Sequence, residues 1–170
     1  MKKVLLLTAI ILICGLSLSA QNRVFVDLGL SSGTKWCTKN ETGYWSYSNA
    51  LNSFGSNLPT IEQFSELIAE CDWKWTGSGY NVKGPNGKSI YLPADGCETD
   101  RKEPCDYFTE SKGKGYYWCY SSLEEENGEW WASGFFLNRD YYETMSSALA
   151  VTRNSTCGYM YALYSVRLVQ

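Results

Sequence analysis

Histidine is absent from the 170-residue chain. Catalysis by Ser-His-Asp triads or Cys-His pairs is therefore excluded, and so is every zinc site that needs an imidazole ligand. Basic runs are also missing, since 15 lysines and arginines are scattered among 18 aspartates and glutamates. We therefore do not expect nucleic acid or anionic membranes as partners. The seven cysteines include no CxxC spacing, and no motif for a metal or a cofactor occurs.

The first 20 residues have the pattern of a secretory signal peptide, with two lysines, an apolar run over positions 4–18 and small residues up to Ala20. The run is too short for a membrane span. Cys14 would mark a lipoprotein, but a lipobox needs a small residue just before the cysteine, and Ile13 stands there. We expect an exported, non-lipidated protein that begins at Gln21 and does not insert into the membrane. Its destination is the periplasm, the outer surface or the medium.

Residues 21–170 have the length of one domain, and no repeat period runs along them. Loss of the two leader lysines leaves 13 basic residues against 18 acidic ones, a net charge of −5. The clearest pattern lies in the segment 58–75, LPTIEQFSELIAECDWKW. Thr60 and Gln63 match a capping box, and apolar residues then recur at helical spacing through Cys71. The pattern predicts one amphipathic helix, with Glu62, Glu66 and Glu70 facing water, that leads into an aromatic strand.

The rest of the sequence is short, aromatic and rich in turns. A second, shorter helix is predicted over 48–54, and Gly84-Pro85-Asn86-Gly87 predicts a hairpin turn. A long polar loop is predicted over 94–115. One main helix and a short one beside antiparallel strands indicate the α+β class. The predicted strands are 23–30, 34–38, 80–83, 88–92, 116–122, 129–137, 148–153 and 164–169.

Six cysteines follow the leader, and an even number in an exported chain suggests disulfides. Cys97 and Cys105 enclose the short polar loop ETDRKEP, so we predict that they form a disulfide. For Cys71 two interpretations stay open, a disulfide or a reduced residue on the apolar face of the helix. Cys119 has the same two alternatives, because a free cysteine packs like a small apolar side chain. The pairing of the remaining cysteines is not predicted.

Five blocks of the sequence, in order, resemble one known family: VDLGLSSGTKWCTKN, LPTIEQFSELIAECDWKWT, GYNVKGPNGKSIYLPADG, GYYWCYSS and YSVRLV. They are similar to the Fibrobacter succinogenes major paralogous domain (FISUMP), which is abundant in exported Bacteroidetes proteins. The resemblance covers nearly all of residues 21–170. It implies a C-type-lectin-like fold, in which two helices lie beside a twisted antiparallel sheet with long loops on one side. The helix also resembles that of the formylglycine-generating enzyme fold. Cys97 and Cys119 depart from the family pattern, and the family implies no particular activity.

Aromatic residues number 26, with 7 Trp, 13 Tyr and 6 Phe, which is more than a small core can hide. Exposed Trp and Tyr rings suit sugars and protein partners, because they offer rigid contact area at low entropic cost. We predict a ligand site at Trp131, Arg139, Tyr141 and Tyr142. Trp130 and Trp131 must point to opposite faces of a strand, and we assign Trp130 to the core. The alternative is that both rings are structural.

Three further interpretations concern other residues. Trp36, Trp118 and Arg167 are interpreted as structural, with Arg167 pairing a loop carboxylate. Glu124-Glu125-Glu126 suits either a calcium site or, as we prefer, a solvated acidic loop. Calcium-dependent sugar binding is not supported, since the chain has Glu103-Pro104-Cys105 and no Trp-Asn-Asp.

The sequence thus predicts an exported, non-catalytic recognition module, without metal or cofactor, that binds a glycan or a protein partner at the cell surface. Two alternatives remain. The first is a structural or assembly component of the cell surface. The second is an enzyme related to the formylglycine-generating fold, whose members use a cysteine pair, or one that uses paired carboxylates.

Overall fold

A computed structural model describes residues 22–99, 113–154 and 158–170. The predicted signal peptide and Cys105 lie outside these ranges. The protein is α+β, as predicted: two helices pack against several antiparallel sheets. The helices are α1, Tyr47–Phe54, and α2, Ile61–Glu70, and a single 3₁₀ turn, Gly55–Asn57, follows α1.

The main helix forms as its sequence predicts. The Thr60 hydroxyl accepts a hydrogen bond from the Gln63 N–H (3.3 Å), and the Gln63 side-chain oxygen accepts one from the Thr60 N–H (2.9 Å). This capping box satisfies donors that the first turn would otherwise leave without partners. Phe64 and Leu67 of the apolar stripe are fully buried. α1 begins one residue before its predicted start, because the Ser46 side chain caps it through the Asn49 N–H.

The strands found in the described part of the chain are short near its beginning and long near its end. They are β1 Phe25–Asp27, β2 Lys35–Cys37, β3 Trp45–Ser46, β4 Asp72–Trp75, β5 Gly79–Lys83, β6 Ser89–Pro93, β7 Glu98–Thr99, β8 Lys114–Trp118, β9 Glu124–Glu126, β10 Glu129–Asn138, β11 Tyr142–Asn154 and β12 Gly158–Tyr164. The predicted hairpin is confirmed as β5–β6. Its turn places Gly87 at φ 85°, a conformation that glycine adopts without strain.

Three sheets result. β1 pairs with β2, and β4, β5 and β6 form a three-stranded sheet. The large sheet has seven strands in the order β3-β12-β11-β10-β8, with β7 joined to β12 and β9 joined to β10. Its strand pairings in the described ranges are antiparallel. The register between β10 and β11 shifts at Trp130/Trp131 and again between Ala132 and Gly134.

The prediction of a last strand at 164–169 was wrong. The long strand β12 comes instead from the preceding segment, for which no strand is predicted. Residues 165–169 make single bridges only, from Ser165 to Tyr117 and from Val169 to Trp36. The reason is that their backbone groups bond to several separate segments, including β2, β8 and Asn57, so no single partner strand continues alongside them. β11 also begins six residues before its predicted start. The added residues do not alternate between apolar and polar, and they are extended because they pair with β10.

Two cores lie on opposite faces of the large sheet. The first core joins α2 and the three-stranded sheet to β8 and β10, and it includes Phe64, Leu67, Val82, Tyr117 and Phe135. Phe64 stacks on Phe135 at 4.2 Å between ring centroids. The second core joins α1 to the other face and includes Tyr47, Trp118, Ala148, Ala162 and Tyr164. Neighbours on a strand alternate between the two, as Tyr117 and Trp118 do.

Arg167 is structural, as predicted, but its predicted carboxylate partner is replaced by two backbone carbonyls. Its guanidinium donates to the carbonyl of Cys37 (2.7 Å) and to that of Tyr91 (2.7 Å). The side chain is 1% exposed, and burial lowers its pKa. Arg167 therefore ties β2 to β6 through the interior.

Glu66 and Glu70 do not simply face water, as the helical pattern predicted. Glu66 accepts hydrogen bonds from the N–H (2.6 Å) and hydroxyl (2.6 Å) of Ser32, and Glu70 accepts one from the Ser31 N–H (3.0 Å). These bonds hold the turn after β1 against α2. Glu62 is exposed, as predicted.

Candidate functional site

The predicted site residues do not lie together. On the paired strands, Trp131 is opposite Leu149, whereas Leu137 is opposite Tyr142, six residues further along β10. At about 3.3 Å per residue, these positions are about 20 Å apart. Trp131 is thus near one end of β10, and Arg139, Tyr141 and Tyr142 are at the other.

Tyr142 belongs to the core side of the molecule. Its half-buried ring stacks on Trp73 at 4.1 Å and meets Tyr80 edge-on at 5.2 Å. It packs against the first core, and burial raises the pKa of its hydroxyl. A ring held in this way has less of its surface available to a ligand. We conclude that Tyr142 supports the fold.

Arg139 and Tyr141 form the turn between β10 and β11. The side-chain oxygen of Asn138 accepts hydrogen bonds from the N–H groups of Asp140 and Tyr141, which shapes the turn. The Arg139 side chain is exposed, and its carbonyl accepts from the Tyr80 hydroxyl at 3.1 Å. Tyr141 is 50% exposed. Both residues are exposed at this turn.

Trp131 is in a different setting, because it lines an open groove of about 500 Å³. Glu124, Glu125, Glu126 and Ser147 are the other residues that line this Trp131 groove. Glu124 is paired directly opposite Trp131 across β9 and β10, so their side chains share a face. Trp130 points the other way and packs against the second core, as predicted. The indole of Trp131 is half-buried, which leaves part of it open to a ligand.

The three glutamates form an exposed edge strand, β9, and not the predicted acidic loop. Alternation places Glu124 and Glu126 on the face of Trp131, whereas Glu125 accepts a hydrogen bond from the Gly128 N–H at 2.7 Å. Asn127 and Gly128 both have positive φ, which suits the tight turn into β10. No three His, Cys, Asp or Glu side chains in the described ranges are grouped so that they could hold a metal ion.

α2, which is shorter than β10, and the Trp131 groove lie near different parts of β10. α2 has 10 residues and spans about 15 Å, whereas the 10 residues of β10 extend about 33 Å. α2 packs near Phe135, at the far end of β10 from Glu129. Trp131 therefore lies toward the Glu129 end of β10, away from the contact between Phe64 and Phe135.

A second groove, of about 380 Å³, was missed by sequence reasoning. It is lined by Ser46, Ser48, Asn49, Tyr161 and Leu163, and we call it the Tyr161 groove. Tyr161 is 40% exposed. Alternation in GYMYALY could have revealed it, because Ala162 and Tyr164 alternate into the second core and leave Tyr161 on the opposite face. No strand is predicted for this segment, so that pattern was not used.

The cysteines that the structure describes, Cys37, Cys71, Cys97 and Cys119, form no disulfide with one another. Burial raises the pKa of Cys71 and that of Cys97 to about 11, and it also raises the pKa of Cys119. A catalytic cysteine needs a lowered pKa, because the thiolate is the nucleophile. These three thiols therefore give no support to cysteine catalysis. Cys105 lies outside the described residues, so the Cys97–Cys105 disulfide stays a prediction.

Comparison with known proteins gives no match: no family model, no curated protein and no solved structure matches this chain. The resemblance to FISUMP and to the C-type-lectin-like fold thus stays a prediction. Among the described residues, no helix has both the length and the apolar character needed to cross a membrane.

Proposed function

We propose that this protein is an exported, non-catalytic recognition domain that binds a glycan in the Trp131 groove. The observation that carries the proposal is the half-buried indole of Trp131 in an open groove edged by carboxylates and a serine hydroxyl. An aromatic ring can stack on the C–H face of a sugar, and it loses little entropy because its side chain has few rotatable bonds. Carboxylate oxygens accept hydrogen bonds from sugar hydroxyls, and the Ser147 hydroxyl can donate or accept.

The size of the groove agrees with a small ligand. Ligand sites commonly enclose about 300–1,000 Å³, and the Trp131 groove encloses about 500 Å³. The resemblance to FISUMP points to the same class of exported recognition module. The predicted signal peptide supports the proposal, because an exported protein would meet cell-surface glycans.

A basic protein segment is the main competing ligand, since Glu124 and Glu126 would attract lysine or arginine beside the Trp131 ring. The variant Glu124→Gln separates the two. Glutamine keeps a hydrogen-bond acceptor for sugar hydroxyls but removes the charge that a basic segment needs. Glycan binding should therefore change little in this variant, whereas binding of a basic peptide should weaken.

An enzyme is a weaker alternative for this groove. A carboxylic acid that donates a proton to a glycosidic oxygen has to be kept protonated near neutral pH, which enzymes achieve by desolvation or by a neighbouring negative charge. Glu124, Glu125 and Glu126 are all exposed on an edge strand. This environment favours hydrogen bonding to sugars over acid catalysis.

The test is a glycan array followed by titration calorimetry with the best-binding glycan, on the wild type and on Trp131→Ala. We expect the variant to lose at least about tenfold in affinity, equal to roughly 1.4 kcal/mol. Trp131→Phe should retain part of the binding because it keeps a ring. Tyr120→Ala is the matched control, since Tyr120 is 46% exposed and does not line the groove.

Several results would contradict the proposal. If no glycan binds, and pull-down from envelope extracts yields no partner that depends on Trp131, a structural role at the cell surface is favoured. If a partner protein depends on both Trp131 and the Glu124 charge, the groove binds a basic segment. Release of reducing sugar from a bound glycan would show that the protein is an enzyme.

A further inference from the structure

The residues that line the Trp131 groove carry negative charge and no positive charge. Three of the five, Glu124, Glu125 and Glu126, are glutamates, and the other two, Trp131 and Ser147, are uncharged. All three glutamates are exposed. An ionised carboxylate accepts hydrogen bonds but cannot donate them. A ligand in this groove therefore meets hydrogen-bond acceptors and a negative potential that no cationic side chain of the lining offsets.

Two of these carboxylates belong to the same face as the indole. Glu124 is paired directly opposite Trp131, and Glu126 lies two residues further along β9, so alternation gives both the same facing. Directly opposed residues have Cβ atoms about 4.5–5.5 Å apart, and diagonal neighbours are about 7–8 Å apart. A sugar that stacks on the indole therefore lies within about 8 Å of both carboxylates.

The hairpin between β9 and β10 keeps these carboxylates in place. Its turn consists of Asn127 and Gly128, both at positive φ, and the Glu125 side chain accepts a hydrogen bond from the Gly128 N–H at 2.7 Å. The Ser122 hydroxyl donates to a carboxylate oxygen of Glu124 at 3.4 Å. Because turn geometry fixes the register of a hairpin, Glu124 stays beside the indole.

We propose that Glu124 and Glu126 make the Trp131 groove selective against acidic glycans, so that its ligands are glycans without carboxylate or sulfate groups. This inference rests on the proposed function of the groove, and it names the class of glycan and the residues that determine it. A neutral sugar presents hydroxyl donors to the two carboxylates. A uronic acid or a sulfated sugar instead brings an anion, which the carboxylates cannot donate to and which they repel.

Coulomb's law gives the size of the expected selectivity. In water and dilute salt, the repulsion between two unit charges about 7 Å apart weakens binding about threefold. Two carboxylates at that distance from one charge on the ligand weaken it about tenfold in total. An uncharged sugar has no such term. Glutamine at both positions should therefore remove the selectivity and leave the binding of neutral glycans nearly unchanged.

The experiment is calorimetric titration in about 0.01 M salt with the neutral hexose oligosaccharide that binds best on a glycan array, and with two derivatives of it. In the first derivative, the primary hydroxyls are oxidised to carboxylates. In the second, those carboxylates are methyl esters, which keep the added bulk without the charge. We expect the carboxylated form to bind the wild type at least about tenfold more weakly than its methyl ester.

The double variant Glu124→Gln/Glu126→Gln should bring the two derivatives within about threefold of each other. Its affinity for the neutral glycan should stay within about threefold of the wild type, because glutamine keeps a hydrogen-bond acceptor. Glu143→Gln is the matched control. It removes the same charge from an exposed residue that is paired with Phe136, about 17 Å along β10 from Trp131, and it should keep the wild-type ratio. Circular dichroism checks that each variant is folded.

Salt provides a second measurement, which needs no variant. Raising the ionic strength from about 0.01 M to about 1 M shortens the Debye length from about 30 Å to about 3 Å. The ratio between the two derivatives should then fall below about threefold in the wild type, while the affinity for the neutral glycan changes little. A ratio that persists in high salt would indicate a steric cause and would refute the electrostatic selection.

The outcomes separate this inference from the proposed function. If the neutral glycan binds and depends on Trp131, but the carboxylated form binds as well as its methyl ester, the selectivity is refuted and the proposed function stands. A selectivity that survives in the double variant refutes the assignment to Glu124 and Glu126. An array on which the best-binding glycans are acidic refutes the inference as well. If no glycan binds the wild type, both proposals fall.

Discussion

Alanine substitution of the two adjacent tyrosines Tyr141 and Tyr142 is expected to destabilise the protein by very different amounts. Tyr142→Ala removes a half-buried ring that stacks on Trp73 at 4.1 Å and meets Tyr80 at 5.2 Å. Removing a fully buried aromatic ring costs about 3–5 kcal/mol, so a half-buried one accounts for about 2 kcal/mol. The two ring pairs add about 0.5 kcal/mol or more each. We expect a total loss of about 3 kcal/mol in the free energy of unfolding.

Tyr141→Ala should cost less than about 1 kcal/mol, because half of the ring is already exposed and it makes one tilted contact, with Phe136 at 5.4 Å. The assay is urea denaturation followed by tryptophan fluorescence. Free energies of unfolding are compared between variants whose m-values, the slopes against urea concentration, are equal. Tyr142→Phe is the control, since it keeps both ring contacts and should lie within about 0.5 kcal/mol of the wild type. Equal losses for the two alanine variants, or a larger loss for Tyr141→Ala, would refute the assignment of Tyr142 to the fold.

Three more predictions concern the cap of α2, the buried thiol and phenol groups, and the predicted Cys97–Cys105 disulfide. Thr60→Ala should lower the free energy of unfolding by about 1 kcal/mol in urea denaturation, because it removes the capping hydroxyl. Thr60→Ser keeps a hydroxyl and should retain most of that stability. Equal stability of the two variants would contradict the role of the cap. The free energy of unfolding should fall as the pH rises above about 9. In the unfolded chain, thiols and phenols ionise near about 8.5 and about 10. In the folded protein, burial raises the pKa of Cys71 to about 11 and that of Tyr116 to about 12. The folded state then binds more protons than the unfolded state, and unfolding free energies that stay flat between pH 8 and pH 10.5 would be the contrary result. Peptide mapping of the exported protein without reduction should recover Cys97 linked to Cys105, and recovery of either as an alkylated free thiol would count against the disulfide.

Local sequence determined the elements whose stability is local. The capping box at Thr60 and the apolar spacing that follows are enough to specify α2, because the cap and the stripe lie within one segment. The same is true of the β5–β6 hairpin, whose turn depends on Gly87 at positive φ. The α+β class follows from these two elements together with the many short aromatic stretches.

Long-range pairing decided the rest. Strand β12 and the single bridges of 165–169 have similar apolar composition, and only the partners available in the folded chain distinguish them. Arg167 could not be assigned to its acceptors from sequence, because the carbonyls of Cys37 and Tyr91 are 130 and 76 residues away along the chain. Every residue has a backbone carbonyl, so a sequence pattern cannot show which of them will accept a hydrogen bond from a distant side chain.

The candidate site shows the same division. Alternation was sufficient to predict that Trp130 and Trp131 face opposite sides, because adjacent residues of a strand do so whatever surrounds them, and Trp130 packs against the second core as assigned. Alternation was not sufficient to group Trp131 with a partner. Tyr141 and Tyr142 are close to it in sequence but lie about 20 Å away along extended strands, whereas Glu124 is brought directly opposite it by the pairing of β9 with β10. Which side chains share a surface depends on strand order and register, and only the tertiary structure determines those.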